Sequence, residues 1–346
     1  MAEAGSRAYV GSFTAAGGRG VLTAAVRPDS GALTVLGATG DAVPDPSYLA
    51  LSPSGRTLYA VSETNDGALA AFRTGPDGLR PAGAPVSVAG AQPTHLALYR
   101  DRVLTANYGS GSVTAVRVRP DEGLVPGASV LLHEGSGPHP QRQQGPHAHQ
   151  VQSDPSGRWA VSVDLGTDSV RVCALDPAGD LKVHHETALR PGSGPRHLVF
   201  HPRGHRAYLV NELAPTVTVC RWNSVDGVLQ AGPEVPALPG PPEGDAFPSG
   251  IVVSPDGRFV WTATRGQDVI SVFALDADGD RLTLTGTVPC GGHWPRALAL
   301  DPAGRHLYVA NEHSGDVTWF TLDLATGVPR RDGQVAAPAA SCVVFG

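Results

Sequence analysis

The 346-residue chain sets 26 Lys and Arg against 32 Asp and Glu, a formal charge of −6, with no long single-sign run. That balance argues against nucleic acid or a membrane surface as the main partner, and no apolar run approaches the roughly 20 residues a membrane-spanning helix needs. The opening MAEAGSRAYVGSFT has neither a basic nor an apolar region of the leader type, and Cys173, Cys220, Cys290 and Cys342 show no metal-type spacing and read as buried thiols. A soluble, cytoplasmic protein is expected.

The first predicted strand, AYVGSF after Arg7, has no apolar partner strand before it. From Pro46 a pattern recurs: proline, short apolar strand, tight turn with Gly, second apolar strand, polar end. Its clearest copies start at Pro46, Pro195, Pro248 and Pro295; degraded copies start at Pro93 and Pro146, and a fragment, PAASCVVF, starts at Pro338. First strands such as YLAL, HLAL, HLVF and ALAL are apolar on both faces, as a strand sandwiched between neighbours requires. Turns such as SPSGR and DPAGR place Pro and Gly where a hairpin wants them. Second strands (LYAVS, AYLVN, LYVAN), third strands (SVTAVRV, SVRVCAL, VISVFAL, VTWFTL) and a weaker fourth complete each unit. Helical periodicity is nowhere sustained. Four-stranded units recurring every 43 to 53 residues predict an all-β, seven-bladed β-propeller, one domain over residues 1–346. The closing fragment supplies the strand that the first blade lacks, so the C-terminal strand is expected to latch the ring and remove its open edges.

Two long connections, residues 133–145 and 237–246, precede blade-starting prolines and lie on the same face as the loops after each second strand. Lids and site residues are expected there. The residue after each proline forms one rim column: Ser47, Thr94, His147, Arg196, Ser249, Arg296 and Ala339. The loop after each second strand forms another: Phe13, Glu63, Tyr108, Leu165, Glu212, Arg265 and Glu312. The strands around these columns are near-copies, whereas the columns hold unlike charges, which marks them as candidate function. Most titratable chemistry falls on His147, His149, Asp164, Arg196, His197, Glu212 and Arg265. A His and a Glu on one pocket supply general acid–base capacity near neutral pH, and several Arg supply grips for an anion and for a developing oxyanion.

Plainer roles compete. Arg196 and Glu212 could form a structural salt bridge, and Glu63 and Glu312 could cap hairpins or pair with neighbouring Arg. His149 falls in the register of Leu49, Leu96 and Leu198, which leaves His147 the better rim candidate, and His95 and His197 read as packing residues. Glu63, Asn107, Asp164, Glu212 and Glu312 offer oxygen ligands for a divalent cation, but the interleaved Arg and His oppose one. No cofactor and no metal are expected. A Gly-rich phosphate loop and a Gly-x-Ser-x-Gly elbow are both missing from the sequence.

The run from His133 to Asp168, with PHAHQV and VDLGTD, followed by GPRHLVF and VNEL, resembles the seven-bladed lactonase family. That family includes bacterial 6-phosphogluconolactonases of the cycloisomerase type and fungal carboxy-muconate lactonizing enzymes. The resemblance implies a metal-independent site on the loop-rich face, lined by His147 or His149, Arg196, Glu212 and Arg265, with Arg142 and Gln143 in a lid. The expected activity is hydrolysis of a sugar lactone, 6-phosphogluconolactone foremost. His147 or His149 with Glu212 would handle protons, and Arg196 and Arg265 would hold the anion, with Arg142 or Arg296 assisting and Asp164 also among the substrate-binding residues. The expected partner is a small anionic lactone, bound by a monomer or a homodimer. A muconolactone isomerase and a non-enzymatic binding propeller are the alternatives.

Overall fold

A computed structural model describes residues 6–346; the first five residues, part of the stretch read for a leader, lie outside the described residues. Seven antiparallel sheets of four strands, one carrying a split outer strand, form the ring. Blade 1 joins strands Arg7–Ser12, Leu22–Val26 and Leu33–Ala38 to the C-terminal strand Ala340–Phe345, which is its innermost. Tyr9 pairs with Val344 and Val10 with Val343, so the predicted latch closes the ring. Blades 2 to 7 follow in chain order, with inner strands starting near Leu49, Pro93, Ala148, Pro195, Phe247 and Pro295.

The second strand of each blade is sandwiched most deeply. Thr57–Ser62, Arg102–Asn107 and Phe259–Arg265 are buried along their whole length, which is why these segments are apolar on both faces rather than alternating. Core clusters form between adjacent blades; Val61, Leu69, Leu96 and Val103, for example, join blades 2 and 3. The turn glycines Gly55, Gly157, Gly204, Gly257 and Gly304 adopt φ of 65–71°, which an L side chain rarely tolerates. Inner strands pack backbone to backbone around the axis: a Cβ on Gly250 would lie 2.6 Å from the Leu298 amide nitrogen.

One irregularity recurs at the loop-rich end of the inner strands. The ladder skips a residue at Thr94, His149, Arg196, Arg296 and Ser341, and a longer break in blade 6 includes Ser249. A β-bulge leaves its extra residue unpaired and re-aims its side chain. The bulges therefore define the true rim column, and in blade 4 its occupant is His149, not His147. Pro146 and Pro338 stand two residues ahead of their counterparts, which displaced both copies in the sequence alignment. Val151, rather than His149, shares the buried register of Leu49, Leu96 and Leu198. A second bond repeats in six blades: the N–H of Phe13, Glu63, Tyr108, Leu165, Glu212 and Glu312 donates to the carbonyl of Ala339, Asp45, Gln92, His147, Gly194 and Trp294. His147 thus occupies the position before the inner strand, equivalent to Gly194 and Trp294.

Candidate active site

Glu212 directly follows the second strand of blade 5, Arg206–Asn211, its amide fixed to the Gly194 carbonyl at 2.7 Å. The side chain is almost wholly buried, and three guanidiniums surround it. Arg142 Nη2 donates to Oε1 at 2.6 Å, while Arg196 Nε and Arg265 Nη2 lie 3.0 and 2.8 Å from Oε2. His149 Nε2 stands 4.0 Å from the same Oε2. The Arg196 and Arg265 contacts are short charge contacts with poor hydrogen-bond alignment.

Each guanidinium also has a partner other than Glu212. Arg196 projects from its bulge and donates through Nη1 to the Ser249 carbonyl at 2.6 Å. Arg265 closes the second strand of blade 6, donates to the Phe247 carbonyl and lies over the Trp294 ring, 5.7 Å from its centroid. Arg142 comes from the 133–145 connection. That loop is wound around buried Gln143, which accepts from the His139 amide and donates to the Leu165 carbonyl, and Arg142 also reaches the Tyr108 hydroxyl at 3.2 Å. The second long connection, 237–246, is tied to Gln267 and among the described residues sends no side chain into the Glu212 cluster.

Burial alone would raise the Glu212 carboxyl, but Arg265, Arg196, His149 and Arg142 hold it well below the usual carboxylate range. Glu212 is therefore held as an anion at neutral pH. Burial, then the Arg196 charge, pushes His149 well below an ordinary imidazole despite the opposing pull of Glu212. His149 is therefore neutral at neutral pH. His147 turns away: its ring stacks on Tyr108 at 4.4 Å, and Nδ1 lies 2.9 Å from the Tyr108 carbonyl, which can only accept.

Asp164, expected to bind substrate, has no exposed surface and no free oxygen. Oδ1 accepts the amides of His147, Gly166 and Thr167 at 2.9–3.0 Å, and Oδ2 meets His133 Nδ1 at 2.6 Å. It organises the loops beneath the lid instead. The five oxygen ligands weighed for a cation do not converge: Asn107 spends its amide on Thr105, Ser112 and Thr114, and the carboxylates each face their own cations or amides.

Across the rim, Arg296 Nη1 donates to Glu312 at 3.1 Å, Nη2 lies 3.5 Å from Glu63, and its guanidinium covers the Phe13 ring at 4.7 Å. Ser47 donates to Glu63. Trp294, at φ 63°, completes an aromatic wall with His313, the rings stacked at 4.7 Å. Sequence comparison missed Trp294 because it sits two residues before Arg296, outside the column compared.

The family model described as lactonase, 7-bladed β-propeller, matches residues 7–345. The 6-phosphogluconolactonase of Bacillus subtilis is 32% identical over 342 residues, 97% of each chain. That of Formosa agariphila is 30% identical over 339 residues, covering 92% of this chain and 93% of the relative. The solved structure of the Pseudomonas aeruginosa periplasmic gluconolactonase superposes with a TM-score of 0.92 at 30% identity over 98% of both chains. The chain thus belongs to the seven-bladed β-propeller lactonase family, and it is a lactone hydrolase.

Proposed function

We propose that the substrate is a polyhydroxylated lactone bearing one terminal anionic group, with 6-phosphogluconolactone the leading candidate. The observation that carries this is the polarity of the rim. Three guanidiniums against one carboxylate leave one wall cationic, whereas Arg296 between Glu63 and Glu312 leaves the other anionic. The cationic wall suits a phosphate or carboxylate. The anionic wall suits sugar hydroxyls, which donate; it would repel the second carboxylate of a muconolactone. Relatives named 6-phosphogluconolactonase and gluconolactonase support a sugar-acid lactone as the class.

In this reading a water lies between His149 Nε2 and Glu212 Oε2, whose 4.0 Å separation suits a molecule hydrogen-bonded to both. As the water oxygen bonds to the lactone carbonyl carbon, His149 accepts its proton. The guanidiniums of Arg196 and Arg265 offset the charge forming on the carbonyl oxygen. Collapse breaks the bond to the ring oxygen, which takes the proton left on the attacking oxygen. The product is thus a carboxylate, and the proton on His149 is the one released in each turnover. Glu212→Gln, which removes the anion that orients the water, and Arg196→Met, which removes an oxyanion partner, should each lower kcat/KM by about 10²-fold, the scale of losing such a group. Initial rates on 6-phosphogluconolactone check this, with circular dichroism confirming the fold; near-native turnover in both variants would sink the assignment.

A further inference from the structure

Below the rim the inner strands enclose a channel of about 580 Å³, lined by Leu51, Leu98, Gln152, Val252 and Phe345 towards the turn face. At the site end it stops at Tyr48, His95 and His197. A single layer of side chains thus separates the channel from the Glu212 cluster.

That layer is costly. His95, His149 and His197 are all more than nine-tenths buried, and each has one ring nitrogen without a hydrogen-bond partner: His95 Nδ1, His149 Nδ1 and His197 Nε2. The rings touch in series, with centroids 5.2 Å apart from His149 to His197 and 5.3 Å from His197 to His95, and Tyr48 stacks on His95 at 4.0 Å. Buried polar atoms are normally satisfied, and other blades fill the His197 position with Gly250, Ala297 and Cys342. Packing alone does not call for three imidazoles beside the Arg196 charge, and the Nε2 of His149 faces the site while its Nδ1 lacks a partner.

We propose that His149, His197 and His95 form a proton relay, completed by water, that carries the proton released in each turnover from the catalytic pocket into the central channel and out at the turn face. This rests on His149 being the base of the hydrolysis. Neutral imidazole accepts on one nitrogen and releases from the other, so a proton taken at His149 Nε2 displaces one from Nδ1 towards His197, then His95, then channel water. No redox partner is needed, and the proton leaves through the channel rather than past the lid.

The test uses His197→Gln and His95→Gln, which keep hydrogen-bonding groups but cannot relay a proton, assayed in weak and in concentrated imidazole buffer. The expected result is a kcat lowered by about 10-fold in weak buffer, an unchanged KM, and recovery when imidazole is added. Should either variant fail to fold, the unmodified protein decides: kcat in H₂O–D₂O mixtures should show a curved dependence, as several protons in flight require. Native kcat in both variants, losses that imidazole does not restore, or a linear dependence would overturn the relay alone. No lactone turnover by the unmodified protein would overturn both the relay and the reading beneath it.

Discussion

At the scale of single residues, the site is built around one buried carboxylate. A carboxylate ringed by Arg142, Arg196 and Arg265 cannot readily take a proton, and its value lies in aligning three cations that would otherwise repel one another. In the proposed hydrolysis the proton falls to His149, which burial keeps neutral. Asp164 acts one step back, through the His147 amide and His133. Asp164→Asn should therefore spare direct substrate contacts but loosen the lid that carries Arg142. Breaking such a buried pair costs about 3–5 kcal/mol, so Tm should fall clearly and KM should rise as Arg142 loses its support. Thermal melts and substrate saturation curves check this; an unchanged Tm would mean that Asp164 holds nothing in place.

At the scale of elements, the bulge is the device that matters, because in six of the seven blades it re-aims one residue of the inner strand. Sequence comparison could see that Arg196 and Arg296 share a register, since proline precedes both directly. It could not see that His149 shares it, because blade 4 places its proline two residues early and only the ladder reveals the shift. Glu212 and Arg265 were legible from hairpin ends that differ between near-identical strands. The contact of Arg142 with Glu212, 70 residues apart, depends on loop winding around Gln143 and leaves no periodic trace. The same inner strands predict an acid weakness. Burial pulls His95 down to about 3, and His149 and His197 also lie well below the unfolded value near 6.5. The unfolded chain therefore binds more protons as pH falls through 6.5, and stability present above that pH is progressively lost below it. Unfolding free energy should decline from pH 7 to 5, and His95→Gln should make the decline shallower. Denaturant titrations across that range check this; a flat profile would contradict the burial of neutral imidazoles.

At the scale of the whole molecule, closure of the ring by Ala340–Phe345 ties both ends of the chain together. Arg7 and Gly346 exchange backbone hydrogen bonds at 3.1 and 2.9 Å, and Ser341 reaches the Ser47 carbonyl at 2.7 Å. Removing residues 337–346 would expose the edge of blade 1 and part of the core formed with blade 7. The loss of several buried side chains should lower Tm by about 10 °C or more; an unchanged melt would refute the latch. The architecture was legible in full because repetition multiplies a weak strand signal seven times, whereas substrate choice rests on a few unlike side chains at the rim. Proton release by the purified protein on 6-phosphogluconolactone, gluconolactone and a carboxylated muconolactone, followed with and without chelator, tests that choice most directly. Fastest turnover on the phosphorylated lactone, slower turnover on gluconolactone and none on the muconolactone, all insensitive to chelator, is the predicted result. A preference for the muconolactone, or activity abolished by chelator, would contradict it.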